Sequence, residues 1–100
     1  EGRAYGARVY YDPAETGMEA AAARFADAVT RELGSRAMRA CRTVADGSYA
    51  ILRAQGAKCL LFECGFLSDD AERALLADTD YREALARAIA AGVEAIVEER

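Results

Sequence analysis

Met18, Ala22, Phe25, Val29 and Leu33 recur at spacings of four, three, four and four, which places them on one face of a helix. The pattern predicts a helix over 14–33, opened by the polar Glu15 or Thr16 and stopped by Gly34. Before it, YGARVYY at 5–11 is rich in aromatic and β-branched residues and predicts a strand that Asp12-Pro13 ends. After the helix the signal weakens. Residues 38–44 alternate poorly, because Arg42 breaks the face shared by Met38 and Ala40; a short strand or extended connection is expected. Residues 48–53 (SYAILR) predict a helical turn or two that packs Tyr49 and Leu52.

The most apolar run is Cys59-Leu60-Leu61-Phe62, and Glu63 interrupts it. Its apolar residues do not alternate with polar ones, so 58–63 reads as a central strand. Gly65 lets the chain turn. Asp69 and Glu72 have capping-box spacing and open a short helix over 69–77. Asp78-Thr79-Asp80 caps a last helix over 81–98, with a buried stripe of Leu85, Ala88/Ile89, Gly92/Val93 and Ile96. A mid-helix glycine costs about 1 kcal/mol relative to alanine. The compensation expected at Gly92 is close approach of the helix backbone to the sheet. This order implies a layered α/β fold, a mostly parallel sheet flanked by helices. Three strands and two long helices leave little to cover the second sheet face, so that face is either exposed or completed by residues upstream of Glu1.

Composition narrows the chemistry. The hydrophobic fraction of 53% supports a core, and the net charge of -4 is spread along the chain without a basic stripe, so no nucleic-acid role is expected. No run reaches the ~18 apolar residues of a membrane span. There is no histidine, which excludes a His-based triad or a His-ligated metal within this chain. The three cysteines, at 41, 59 and 64, have no C-x-x-C spacing and read as small buried hydrophobes.

A carboxylate ending a buried strand is costly unless paired, protonated or used. Open α/β sheets place their chemistry at such strand ends, so Glu63 is the candidate catalytic residue; a structural carboxylate is the other reading. Ser68 and Asp69 read as a helix N-cap pair in preference to a nucleophile and base, and Glu72 as a capping partner in preference to a ligand. Arg36, Arg39 and Arg42 read as solvated surface, or as contacts for a peptide carboxylate. Tyr10 and Tyr11 point to opposite faces, so one is expected in the core and one on the surface; lining a glycan groove is the other reading.

The stretch ILRAQGAKCLLFECGFLSDDAERALLADTDYREALARAIAAGV resembles the C-terminal half of the zinc-dependent N-acetylmuramoyl-L-alanine amidases, type 3, of cell walls, spores and phage lysins. That family carries a strand ending in Glu, a Gly-Phe-Leu-Ser-Asn turn, an acidic residue three positions later and a last helix beginning near a Tyr. Glu63, Gly65, Phe66, Leu67, Ser68, Glu72 and Tyr81 fall on those positions, while Asp69 replaces the usual Asn. GARVYY and the helix after it fit the family segment downstream of its second zinc histidine.

The resemblance implies an amidase-like three-layer sandwich, with residues 1–100 forming the C-terminal portion of a single catalytic domain. It implies a peptidoglycan hydrolase that cleaves the bond between N-acetylmuramic acid and L-alanine outside the cytoplasm, at the cell wall or envelope. Glu63 would be the general base and acid, and the Zn ligands would lie upstream of this chain, so the chain alone is expected to be inactive and to bind no catalytic zinc. The alternative is a non-catalytic wall-binding or scaffold remnant that lacks the metal site. Some division-associated members carry an inserted helix that blocks the zinc; the segment between Gly34 and Lys58 leaves too little chain for one.

Overall fold

The computed structural model describes residues 6–37, 39–54 and 56–97. Strand β1 (Arg8–Tyr11) leads to helix α1 (Met18–Leu33), strand β2 (Arg42–Ala45), strand β3 (Leu61–Glu63), helix α2 (Asp70–Ala77) and helix α3 (Thr79–Val97). Two 3-10 turns, Gly34–Arg36 and Ala50–Arg53, complete the path. The architecture is α/β, as the patterning indicates. The sheet order is β2-β1-β3, with β2 parallel and β3 antiparallel to β1, so the described sheet is mixed.

The middle strand is β1, not the strand ending at Glu63. Val9 and Tyr11 of β1 enter the helical core, and Tyr10 is buried on the opposite face. Phe62 of β3 and Leu60 just before it pack toward the core, while Leu61 pairs with Tyr10 and shares its face. An unbroken apolar run therefore reports contact on both faces of a strand. It does not report pairing on both edges. Strand β2 begins later than the pattern indicates, at Arg42, and is largely exposed, which explains its weak alternation. Tyr5 and Met38, included in the expected strands, lie outside the described residues.

Helix α1 starts at the first residue of its apolar face, one turn later than the expected residue 14. The Asp12 carboxylate accepts the Ala14 N–H at 3.0 Å, and the Asp12 carbonyl accepts the Glu15 N–H at 3.0 Å. Gly17 then takes a left-handed φ of 85°, and the helix begins at Met18. Its predicted stripe is buried throughout: Met18, Ala22, Phe25, Val29 and Leu33 all lie in the core. Helix α1 packs on β1 and β2, and α3 packs on α1.

Glycine 92 does allow a close approach, but to α1 and not to the sheet. A Cβ placed there would sit 2.7 Å from the Phe25 ring. That ring is held from its other side by Phe62, edge-on at 5.4 Å. The buried stripe of α3 is Tyr81, Ala84, Leu85, Ala88 and Gly92. Because Gly92 occupies the contact position, Val93 is turned outward and is 48% exposed, contrary to the sequence expectation.

Gly92→Ala is expected to destabilise the fold although alanine is the better helix former. The propensity gain is about 1 kcal/mol, and overpacking a filled core costs about 1–3 kcal/mol. Urea unfolding of the variant checks this: a lower midpoint supports the Phe25 contact, and a higher one contradicts it.

Candidate functional site

Glu63 ends β3 on the sheet face opposite α1. Cross-strand register places Arg8 beside Glu63 and Tyr10 beside Leu61, and Arg42 lies on the other side of Arg8. Directly paired residues share a face, so Arg8, Tyr10, Leu61 and Glu63 form one surface. Tyr10 donates its hydroxyl hydrogen bond to Glu63 Oε1 at 3.2 Å, and Arg8 Nη1 donates to Tyr10 Oη at 3.3 Å. The Arg8 guanidinium lies 4.9 Å from the centre of the Phe66 ring, and Tyr49 packs edge-on against Tyr10 at 5.2 Å. Glu63 itself is half-buried.

The turn that follows Glu63 is held by a second carboxylate. Glu72 is the buried charged residue of the core region, 7% exposed. Its Oε1 accepts the Phe66 N–H at 2.9 Å. Its Oε2 accepts the Gly6 N–H and pairs with Arg39 Nη1 at 2.9 Å. Asp69 caps α2 by accepting the Glu72 N–H at 3.1 Å and lies 3.7 Å from Arg39 Nη2. Only half of a capping box forms: the Asp69 N–H bonds the Phe66 carbonyl at 3.1 Å, which frees the Glu72 side chain for the turn. Gly65 permits this, since a Cβ there would press to 3.2 Å from Glu72 Oε1.

These contacts correct three sequence readings. Glu72 ties the turn after β3 to the start of β1 and to Arg39, a wider role than capping. Arg39, whose side chain is one-third exposed, pairs with Glu72 and Asp69 and is more than a solvated surface group. Of the two tyrosines, Tyr11 belongs to the core cluster and Tyr10 reaches Glu63, so both are buried, by opposite layers. Arg42 is exposed in the same row as Arg8 and Glu63, while Arg36 lies apart, near Asp78 and Tyr81. Asp69 is an N-cap as expected, and Ser68 is exposed. Arg8 escaped the sequence reading. The signal was the i, i+2 relation of Arg8 to Tyr10, which carries meaning only once β1 is registered against β3.

Beside Glu72 lies a small cavity lined by Gly6, Arg39, Cys41, Cys64 and Tyr81 among others. Burial, then the neighbouring Cys64, pushes the Cys41 thiol up to about 11. Burial also pushes Cys64 and Tyr81 upward, Tyr81 further through Cys64 and Glu72. The cysteines are free thiols; Cys41 and Cys59 are half-buried, and Cys64 is exposed by area instead of buried as expected. Among the described residues no group of three or more His, Cys, Asp or Glu side chains is arranged to hold a metal ion. The described residues therefore do not by themselves fit a zinc ion.

A family model described as N-acetylmuramoyl-L-alanine amidase matches residues 1–95. A search of curated protein sequences finds no match. Among solved structures, the chain is similar to the CwlD amidase of Clostridioides difficile, determined in complex with the GerS lipoprotein, at 25% identity and a TM-score of 0.79. It is also similar to an N-acetylmuramoyl-L-alanine amidase of Clostridium difficile 630 (22%, TM-score 0.78) and to AmiC2 of Nostoc punctiforme (22%, TM-score 0.71). These alignments cover 100%, 100% and 99% of this chain, but 50%, 52% and 51% of the other chains. The chain thus spans about half the length of the structures it matches.

Glu72→Ala removes the acceptor of two backbone N–H groups and one partner of Arg39. Breaking a buried pair from one side costs about 3–5 kcal/mol, and partial exposure of Arg39 places the expected loss near the lower end. Glu72→Gln, which keeps an acceptor, is expected to lose less. Urea denaturation of both variants checks the order; equal stability of Glu72→Ala and the parent would show that the carboxylate holds nothing.

Proposed function

We propose, from the premise that this chain belongs to the N-acetylmuramoyl-L-alanine amidase family, that it is the C-terminal portion of a single peptidoglycan amidase domain. The substrate class is peptidoglycan, and the bond cleaved joins N-acetylmuramic acid to L-alanine. Action is extracytoplasmic, at the cell wall; no helix among the described residues is long and apolar enough to cross a membrane. The zinc on which such amidases generally depend would draw its ligands from outside this chain.

One observation carries the reading. Glu63 lies at a strand end beside a turn that Glu72 holds, with Oε1 bonded to Tyr10 and no described partner on Oε2. A carboxylate presented in this way takes a proton from an attacking water and returns one to the leaving amide nitrogen. Phe66, held by Glu72, and Arg8 border it on the same surface. Between α1 and β3 the described residues form β2 and two 3-10 turns, with no further α-helix to lie over Glu63. Hydrolysis would then need no activator protein.

The test is peptidoglycan cleavage by a protein that carries this chain within a whole amidase domain. The parent is expected to release L-alanine-terminated peptides without a partner protein. Glu63→Gln is expected to lower the rate about 10²–10⁴-fold with the unfolding midpoint unchanged. Near-parental activity of that variant would make Glu63 structural. A parent that binds peptidoglycan without cutting it would favour a wall-binding role.

A further inference from the structure

We propose that Tyr10 is a positioning residue that fixes the Glu63 carboxylate and gives its two oxygens different tasks, an inference that rests on the acid–base reading of Glu63. The direction of the hydrogen bonds decides it. Arginine has donors only, so the 3.3 Å contact makes Arg8 Nη1 the donor and Tyr10 Oη the acceptor. The single hydroxyl proton of Tyr10 is then directed at Glu63 Oε1, 3.2 Å away. The carboxylate can no longer rotate without breaking this bond. Oε1 is engaged, and Oε2 is the oxygen left to exchange a proton with a substrate or water.

The rest of the surroundings keeps this order. Tyr10 is 6% exposed and flanked by the Tyr49 ring, so the hydroxyl has little water to turn toward. Arg8 stays over Phe66 and forms no ion pair within 4.0 Å of Glu63, which leaves the carboxylate to Tyr10. The other charged or titratable groups near Glu63 are Arg42 beyond Arg8 in the same row, Tyr49, pushed upward by partial burial and then by Tyr10 and Glu63, Asp46 beyond it, and the adjacent Cys64. None of these is bonded to Glu63.

Tyr10→Phe keeps the ring and removes the donor. In the whole-domain protein it is expected to lower kcat about ten-fold, with KM within about two-fold of the parent and the unfolding midpoint unchanged. Tyr11→Phe, on the core side, is expected to leave kcat unaltered. An active parent with an equally active Tyr10→Phe variant overturns the proposal, whereas an inert parent overturns the amidase reading itself. A second measurement needs no catalysis. Proton NMR of the 100-residue chain is expected to show a slowly exchanging Tyr10 hydroxyl proton that Glu63→Ala abolishes. A hydroxyl proton that persists unchanged in Glu63→Ala shows a different acceptor and overturns the assignment.

Discussion

The fold turns on the desolvation of one carboxylate. Glu72 is removed from water, and an ionised group in that position is stable only if its lone pairs are met. They are met by a guanidinium and two backbone amides drawn from three separate stretches of chain: Arg39 before β2, Gly6 before β1 and Phe66 after β3. None of these is close to another in sequence. The need to satisfy Glu72 therefore pins together the beginning of the middle strand, the approach to one edge strand and the exit from the other. Removing any one partner leaves the rest exposed to the same desolvation cost.

This constraint sets the geometry that matters for chemistry. Glu63 and Phe66 are separated by only two residues, and the Phe66 amide is anchored on Glu72. The strand end therefore cannot swing, and Glu63 stays where the sheet register puts it, beside Arg8 and within reach of Tyr10. Two carboxylates thus divide the work by environment. Glu72 is buried and saturated with donors, which suits it to structure. Glu63 is half-buried with one oxygen engaged, the arrangement on which the proposed proton transfer rests.

Much of this was legible in the sequence, for reasons that differ by element. The face of α1 was clear because its stripe packs continuously on the sheet, and Glu63 stood out because charge rarely ends an apolar run. The Asp69 cap followed from spacing alone. Three things required the third dimension. The centrality of β1 depends on which strands pair, and burial patterns report faces and not edges. The contact of Gly92 with Phe25 depends on how α3 crosses α1. The partners of Glu72 and Glu63 depend on cross-strand register: Arg39 and Glu72 lie 33 positions apart, and Tyr10 and Glu63 lie 53 apart.

Native-state hydrogen exchange at the backbone amides of Gly6 and Phe66 reports whether Glu72 binds these two segments together. Neither belongs to a strand or helix, so neither would be protected by ordinary secondary structure. If the Glu72 carboxylate binds the two segments together, both amides exchange slowly and with the same opening free energy as the core of α1. If Phe66 exchanges at the rate of an exposed loop while α1 remains protected, the turn after Glu63 is not held by Glu72, and the account fails.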